Sequence, residues 1–230
     1  MSFLKKLAQK NELTPAYKVS ENLSEVPIWQ FNLATECDLE QVTNKIYKLA
    51  QEYPGAGSTQ AKIKGWHSEM LTHKLTNEFD DIIALIKNKI IHLMMENEYP
   101  VEAMLCEPTV TESWAIIYKQ GQGTSMHHHG LAAYSTVFYV KMNDDSSPLE
   151  FSNGLKLNPK SGSLLVFPGY LRHSVPESNS TTDRIVFVAN YSIVPKSNVN
   201  ISVDTINGNR QMKIQIDGKE TVFGNQNHSY

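Results

Sequence analysis

The sequence predicts an α+β fold that is mainly β, with a jelly-roll core, two supporting helices and a C-terminal β meander. Between residues 113 and 191, short apolar segments alternate with turn residues, as in a double-sheet jelly roll. Two earlier segments carry apolar residues at helical spacing. Near the C-terminus, Asn207-Gly208 and Asp217-Gly218 are strong hairpin signals. We therefore expect the helices to pack on one face of a sheet and the tail to form a terminal meander.

The N-terminal part begins with a predicted strand and helix. Residues 26–33 alternate apolar and polar side chains, which is typical of a strand. Asp38 has the position of an N-cap with Gln41 three residues later, and Pro54-Gly55 ends the helix that follows. The apolar stripe of this helix consists of Leu39, Val42, Ile46, Leu49, Ala50 and Tyr53.

A polar, glycine-bearing loop over residues 55–65 precedes the second predicted helix, which covers about residues 77–97. Apolar side chains at helical spacing predict that this helix is amphipathic as well. Its stripe consists of Phe79, Ile82, Ile83, Ile86, Ile90 and Leu93.

The pattern then changes to the period of a strand. The predicted core strands are residues 113–118, 134–140, 149–151, 162–167 and 184–191, and the predicted strands of the meander are residues 201–206, 211–216 and 221–223. We interpret residues 1–230 as a single domain with three parts. These parts are the N-terminal strand and support helices (26–107), the jelly-roll core (108–194) and the C-terminal β extension (195–230).

Composition limits the partners that we expect. The 230 residues carry a formal net charge of −3, and the pI is near 6.2. This chain lacks the basic footprint of nucleic-acid binding, so we expect a peptide or small-molecule substrate and no nucleic acid. The oligomeric state is not determined by the sequence.

The cellular compartment follows from what the sequence lacks. Cys37 and Cys106 are too few for a disulfide framework, and the N-terminal residues have neither a long apolar core nor a cleavage site. No apolar stretch approaches the roughly 20 residues that span a bilayer. We expect a soluble, cytoplasmic protein without a membrane segment.

Histidines at two distant places predict a metal site. In an extended segment alternate side chains share a face, so His127 and His129 can bind one ion while His128 points away. A third imidazole comes from His173. Three imidazoles leave half of an octahedral shell open, which is the geometry that a non-haem Fe(II) oxygenase needs. The alternative is a histidine cluster on the surface.

The remaining histidines and the tryptophans are expected to be structural. No other histidine has a partner at ligand spacing, and tryptophan side chains are more often core than substrate platforms. These residues are His67, His73, His92 and His228, and Trp29, Trp66 and Trp114.

Arg184 opens an apolar strand eleven residues after His173. Burial of a guanidinium costs several kcal/mol unless an anion or another acceptor is supplied. An ordinary salt bridge to Asp183 or Glu177 would supply it. A bound dicarboxylate would do so as well, because the planar guanidinium suits bidentate recognition of a carboxylate. Tyr118 and Tyr139 lie on the strands before and after the histidine pair, so their hydroxyls are predicted to reach the same cavity; the alternative is a role as core aromatics.

These residues resemble the 2-oxoglutarate- and Fe(II)-dependent oxygenases, and more remotely the prolyl hydroxylases. The resemblance is to the subgroup in which a strand, a His-x-His pair and a distal Phe-Pro…His-x-Val segment recur. It extends over about residues 26–194. The matching stretches are residues 27–33, 65–68, 114–118, 121–129, 135–140, 148–151 and 159–190.

The resemblance implies a double-stranded β-helix core, similar to that of the cupins, that binds Fe(II). It implies that Arg184 pairs with the distal carboxylate of 2-oxoglutarate and that Tyr118 and Tyr139 line the cosubstrate pocket. The implied reaction consumes O2 and 2-oxoglutarate, releases succinate and CO2, and hydroxylates a peptidyl residue or a small molecule. The implied metal ligands are His127, His129 and His173.

Two positions depart from the pattern of this superfamily. His129 stands where a carboxylate is usual, and a neutral third ligand leaves the iron site one charge more positive. Val186, two residues after the arginine, stands where a hydroxyl side chain is frequent, so one hydrogen bond to the cosubstrate is missing or supplied elsewhere.

Two other functions fit the same residues. The first is a three-histidine cupin-type dioxygenase that needs no 2-oxoglutarate and has no use for Arg184. The second is a non-enzymatic jelly-roll binding module that holds structural zinc. Structural zinc normally has four protein ligands, so Cys37 or Cys106 would have to complete that site.

Overall fold

Seven antiparallel strands form the larger of two facing β-sheets. The structure is a computed structural model, and it describes residues 17–21, 24–55, 62–96, 105–206 and 209–223. In pairing order, the large sheet contains β1 (Tyr17–Glu21), β2 (Ser24–Asn32), β10 (Ser163–Pro168), β7 (Tyr134–Lys141), β12 (Arg184–Pro195), β5 (Cys106–Tyr118) and β4 (Trp66–His67).

Five shorter antiparallel strands form the second sheet. In pairing order they are β3 (Ile63–Lys64), β6 (Gly123–His127), β11 (His173–Val175), β8 (Leu149–Phe151) and β9 (Lys156–Leu157). A separate three-stranded sheet follows, made of β13 (Val199–Ile206), β14 (Asn209–Ile216) and β15 (Lys219–Phe223).

Both faces of the large sheet are apolar, because the helices cover one face and the small sheet covers the other. Side chains alternate along a strand, so on β12 Val186 faces the small sheet while Ile185 and Phe187 face the helices. The face toward the small sheet packs against Leu149 and Phe151. This second core, between the sheets, surrounds the candidate site.

The helices cover the other face. They are α1 (Leu39–Glu52), the short α2 (Thr72–Leu75) and α3 (Asp80–Glu96). A carboxylate oxygen of Asp38 accepts the N–H of Gln41 at 3.0 Å, so this residue caps α1 as the sequence predicts. Ile46 and Ile86 are fully buried. Phe79 stacks on Phe187 with 5.1 Å between ring centroids, which fixes the start of α3 against the large sheet.

The observed architecture confirms the predicted fold class and the helices on one face of a sheet. The second helix begins at Asp80, three residues later than predicted. The predicted meander is also present. Asp217 (φ 50°) and Gly218 (φ 76°) both have positive φ angles, as a tight hairpin turn requires, whereas Asn207-Gly208 lies outside the described residues.

Two further expectations have different outcomes. Among the described residues, no helix has the length and apolar character that crossing a membrane requires. The division of the chain into three parts stays a prediction.

Candidate metal centre

Three imidazoles meet between the two sheets. His173 on β11 pairs in register with His127 on the neighbouring strand β6. His129 lies two residues beyond the end of β6. The possible ligand nitrogens of the three side chains all lie within 4.8 Å of one another. The arrangement therefore has the dimensions of a site for one metal ion.

A turn, rather than a continuous strand, places His129. The extended run that the sequence predicts ends at His127, and the backbone N–H of His129 donates to the carbonyl oxygen of Gly169 at 2.8 Å. The side chain of His128 is exposed. As predicted, His127 and His129 point to one site while His128 points away. A backbone hydrogen bond beyond the end of the strand, rather than strand alternation, produces this arrangement.

Two of the imidazoles are oriented by backbone carbonyls. Nδ1 of His127 lies 2.9 Å from the carbonyl oxygen of Ser125, and Nδ1 of His173 lies 2.9 Å from that of Leu171. A carbonyl oxygen only accepts, so each Nδ1 carries the proton and each Nε2 keeps its lone pair. A second nitrogen fixed in this way is typical of histidines that bind metals.

Burial keeps the three histidines neutral. It lowers the pKa of His127, and it lowers that of His129 to about 4. The pKa of His173 is lowered well below its usual value, because the ring is buried and lies beside two other imidazoles. Neutral imidazoles bind metal without releasing a proton, so the group is ready for an ion at pH 7.

The described residues supply three ligands and no fourth. Among them, no other three histidine, cysteine or acidic side chains come together as a possible metal site. Cys37 donates its thiol to the carbonyl oxygen of Leu33 at 3.4 Å, and neither it nor Cys106 belongs to the histidine group. Three protein ligands are typical of a catalytic metal, whereas a structural zinc is usually closed by four.

A buried guanidinium without an acceptor lies in the same cavity. Arg184 is 1% exposed, and its three nitrogens make no well-formed hydrogen bond with the described residues, where the phenols of Tyr118 and Tyr139 are the groups that interact with its charge and no carboxylate does. The two salt bridges considered for it are absent, because Asp183 accepts from the hydroxyl of Tyr47 at 2.8 Å and Glu177 pairs with Lys64. A charge this deeply buried calls for an anion from outside the described residues.

Two tyrosines flank the guanidinium. The carbon atom at its centre lies 4.9 Å from the ring centroid of Tyr118 and 5.4 Å from that of Tyr139. Burial raises the pKa of both phenols, so both stay protonated and can donate. The hydroxyl of Tyr118 lies 2.6 Å from Oγ1 of Thr124, while that of Tyr139 has no partner among the described residues.

The rest of the cavity wall is apolar. No Asp or Glu side chain of the described residues lines it, so Arg184 is its only permanent charge. Val186, at the position where a hydroxyl is frequent, is part of this wall. The apolar lining includes Ile116, Val137, Leu149, Val186 and Val188. A multiply charged anion would therefore meet a single guanidinium and the metal position in otherwise apolar surroundings.

Trp114 and Thr124 also line the cavity, and the sequence pattern predicts a function for neither. Alternation along β5 carries a signal for the first of them, because Trp114, Ile116 and Tyr118 share one face of the strand. Thr124 carries no such signal. Its proximity to Tyr118 depends on the way β6 crosses over β5.

The histidine pKa shifts predict how the metal-free protein responds to acid. The pKa of His129 is about 4 in the folded protein and near 6.5 when unfolded, so the unfolded state binds more protons between these values. The contribution of His129 to stability is therefore fully present above pH 6.5 and falls toward pH 4, by about 3 kcal/mol from this residue alone. Chemical denaturation at several pH values should show this loss, and His129→Gln should show a smaller one. Equal pH dependence of both proteins would contradict the prediction.

Comparisons with known proteins agree with this architecture. No family model and no curated protein matches the chain. A viral collagen prolyl hydroxylase of Paramecium Bursaria Chlorella virus-1, solved as a 2OG complex, aligns with a TM-score of 0.51 at 11% identity, over 71% of this chain and 94% of that one. A Pseudomonas putida prolyl-4-hydroxylase aligns with a TM-score of 0.52 at 14% identity, over 71% and 91%.

A third similar structure is a prolyl hydroxylase of Trichoplax adhaerens, solved with a hypoxia inducible factor oxygen degradation domain peptide fragment. It aligns with a TM-score of 0.52 at 13% identity, over 71% of this chain and 82% of that one. At these identities the likeness establishes the fold. The resemblance predicted from the sequence is confirmed at that level.

Proposed function

Because the chain has the fold of the 2-oxoglutarate- and Fe(II)-dependent oxygenases, we propose that it is such an oxygenase. We propose that it hydroxylates a peptidyl residue or a small molecule, with release of succinate and CO2, in the cytoplasm. The observation that carries the proposal is the buried guanidinium of Arg184, which meets no carboxylate among the described residues and lies in the same cavity as three converging histidines. A metal site alone would not require that charge.

Fe(II) fits the ligand set of this cavity. His127, His129 and His173 would hold it through ring nitrogens. In His127 and His173 the other ring nitrogen, Nδ1, already donates to a backbone carbonyl oxygen. Imidazole suits Fe(II), and three ligands leave coordination positions for an oxo-acid and for O2. When bound, this metal would supply the oxidising chemistry.

The charge at the other end of the cavity suits 2-oxoglutarate. Arg184 would pair with its distal carboxylate and so gain the anion that its burial calls for. The hydroxyl of Tyr139 is a candidate for an additional donor, since it is buried beside the guanidinium and has no hydrogen-bond partner among the described residues. Thr124 and Tyr118 offer hydroxyl groups where Val186 offers none.

The protein's own side chains would orient the cosubstrate and exclude water. The apolar wall leaves the oxo-acid few competing partners, so its orientation would depend on the guanidinium at one end and the histidines at the other. A cavity with apolar walls holds little water, and the low dielectric constant strengthens each charge interaction inside the cavity. We infer a peptide or small-molecule substrate, and the peptide bound to the Trichoplax adhaerens enzyme is compatible with the former.

A three-histidine dioxygenase without 2-oxoglutarate is the second candidate, favoured by the imidazole of His129 in place of a carboxylate. Such an enzyme has no use for a buried arginine, so the state of Arg184 favours the first proposal. A structural zinc site is weaker still, because the described residues provide no fourth ligand.

Anaerobic titration of the Fe(II)-loaded protein with 2-oxoglutarate tests the proposal. We expect a weak visible charge-transfer band that saturates with added 2-oxoglutarate, together with a rise in the unfolding temperature. Succinate serves as the control, because it lacks the 2-oxo group and cannot form the same chelate. Absence of the band with an unchanged unfolding temperature would argue decisively against a 2-oxoglutarate-dependent oxygenase.

A further inference from the structure

Trp114 carries a buried hydrogen-bond donor that has no acceptor among the described residues. The side chain is 2% exposed, and its Nε1 makes no hydrogen bond there. Its ring lines the cavity, 5.5 Å from the ring of His129 between centroids. A buried N–H without an acceptor is costly, so a ligand in this cavity is a plausible source of the missing acceptor.

The position of Trp114 separates it from the site proposed for the distal carboxylate of 2-oxoglutarate. On β5 it lies four residues before Tyr118, which pairs in register with Arg184. Four strand residues span about 13 Å, at about 3.3 Å each. The ring of Trp114 lies instead beside His129, where the 2-oxo-acid end would bind the metal. Titrations with and without 2-oxoglutarate therefore decide whether that end or another molecule supplies the acceptor.

The surroundings of the indole indicate the chemistry of that molecule. Val188 pairs with Trp114 across the large sheet and Val137 pairs with Val188, so this sheet contributes an aliphatic wall beside the indole, while the ring of His129 lies 5.5 Å from it. The only charged side chain among the described lining residues is Arg184, at the opposite end. One neutral donor in an aliphatic wall suits a neutral carbonyl oxygen next to a small apolar group.

We propose that the indole N–H of Trp114 binds an amide carbonyl of a peptide substrate at the end of the cavity remote from Arg184. This role rests on the proposed function, and it makes Trp114 a residue that positions the substrate beside His129. The sequence alone gives no reason to select this tryptophan from the three in the chain.

One acceptor within the protein competes with this assignment. His67 pairs with Ile116 on the neighbouring strand, on the same face as Trp114. Its Nδ1 lies 2.8 Å from the carbonyl oxygen of Ser68, so the proton is there and Nε2 is an acceptor. That Nε2 is also buried and has no hydrogen-bond partner among the described residues. A bond between it and the indole would remove the reason for a ligand, so the experiment has to distinguish the two.

Indole NMR on protein labelled with ¹⁵N-tryptophan provides the test. The three tryptophans give three N–H signals. Trp66 donates to the carbonyl oxygen of Tyr53 at 2.9 Å, and Trp29 lies in the core beneath the helices with no hydrogen-bond partner in the part of the chain that the structure describes, so both serve as internal references. The protein is loaded with Zn(II) in place of iron and titrated with N-acetyl-L-alanine methylamide, with and without 2-oxoglutarate.

We expect the Trp114 signal alone to move downfield and to saturate. In Trp114→Phe the methylamide should bind about fivefold more weakly, as for loss of one neutral hydrogen bond. The affinity for 2-oxoglutarate, measured by calorimetry, should stay unchanged. Trp29→Phe is the matched control and should leave both affinities at the wild-type level.

Four results would overturn the assignment. In the first two, the Trp114 signal moves with 2-oxoglutarate alone, or it moves in the ligand-free His67→Phe variant. In the third, the signal does not move with the methylamide. In the fourth, it responds to isobutyrate but not to the methylamide. Failure of 2-oxoglutarate to bind contradicts the proposed function alone, because the methylamide titration is repeated without it.

Discussion

Replacing Arg184 with methionine is expected to lower the affinity for 2-oxoglutarate at least about 100-fold and, at the same time, to stabilise the ligand-free protein. The first effect follows because loss of one partner of a buried charge pair typically costs about 2–5 kcal/mol. The second follows because the guanidinium has no acceptor among the described residues, so an apolar side chain of similar size removes a buried charge. We expect a gain of about 1–3 kcal/mol in the free energy of unfolding.

Opposite signs make this prediction specific to a binding residue. If the arginine stabilised the fold, its substitution would lower the free energy of unfolding of the protein. The affinity for 2-oxoglutarate would then fall only because part of the protein is unfolded. Calorimetry with 2-oxoglutarate and denaturant unfolding without it measure the two effects separately. Arg172→Met is the matched control, since Arg172 is exposed and lies one residue before His173.

The same variant separates the two enzyme hypotheses. If Arg184→Met binds 2-oxoglutarate as the wild type does, the proposed role of this residue is wrong. If metal-dependent oxygen consumption continues in the variant without 2-oxoglutarate, the three-histidine dioxygenase gains support. Arg184→Lys should bind at an intermediate level, because lysine keeps the charge but loses the planar pair of donors.

His173→Ala is expected to weaken metal binding by at least about 100-fold, more than the loss of an outer hydrogen bond to a metal ligand usually does. His173 is 4% exposed and lies 4.4 Å from His127 and 5.3 Å from His129 between ring centroids. Its removal leaves two imidazoles for one ion. Co(II) is a suitable probe, because its visible absorption reports both binding and coordination.

His128→Ala is the matched control for this experiment. It removes an imidazole from the same three-residue run, but one that is exposed and outside the ligand group. Wild type and His128→Ala should both gain about 2.7 kcal/mol of stability at a metal concentration one hundred times the dissociation constant. His173→Ala should gain far less under the same conditions. Equal metal affinity in all three proteins would refute the proposed ligand set.

Folding of the variants has to be checked independently. Removal of the buried imidazole leaves a space beside Phe151 and Phe167, whose rings lie 6.2 Å and 5.1 Å from that of His173. Far-ultraviolet circular dichroism of the metal-free proteins decides whether a loss of affinity is local. His127→Ala provides a second test, because this residue is less buried and its removal disturbs the core less.

Local patterns were enough to predict the longer elements of the core, but they did not predict β1, the short strands β3, β4, β9 and β11, or the helix α2. The alternation that predicts residues 184–191 as a strand describes β12, and the capping residue Asp38 begins α1 where the sequence places it. Both signals act over a few residues, so the sequence contains them completely. The later start of α3 is the kind of difference expected where the helix end depends on packing, here that of Phe79 on Phe187.

Site residues were harder to predict where their positions depend on contacts between distant segments. The spacing of His127 and His129 suggests a shared face, but the strand ends between them, and the carbonyl of Gly169 holds the second residue. Trp114 carries an apolar strand signal that core residues share. Its significance comes from the absence of an acceptor among the described residues, which no linear pattern contains.

By itself, the sequence determined the period and order of the longer helices and strands, and the residue types able to bind a metal and an anion. Only the tertiary structure decided that His173 pairs in register with His127 and that neither Asp183 nor Glu177 reaches Arg184. The physical reason is one of range. Periodicity and capping are set by neighbours within a few positions along the chain, whereas a buried charge either meets or lacks its partner according to how segments dozens of residues apart pack together.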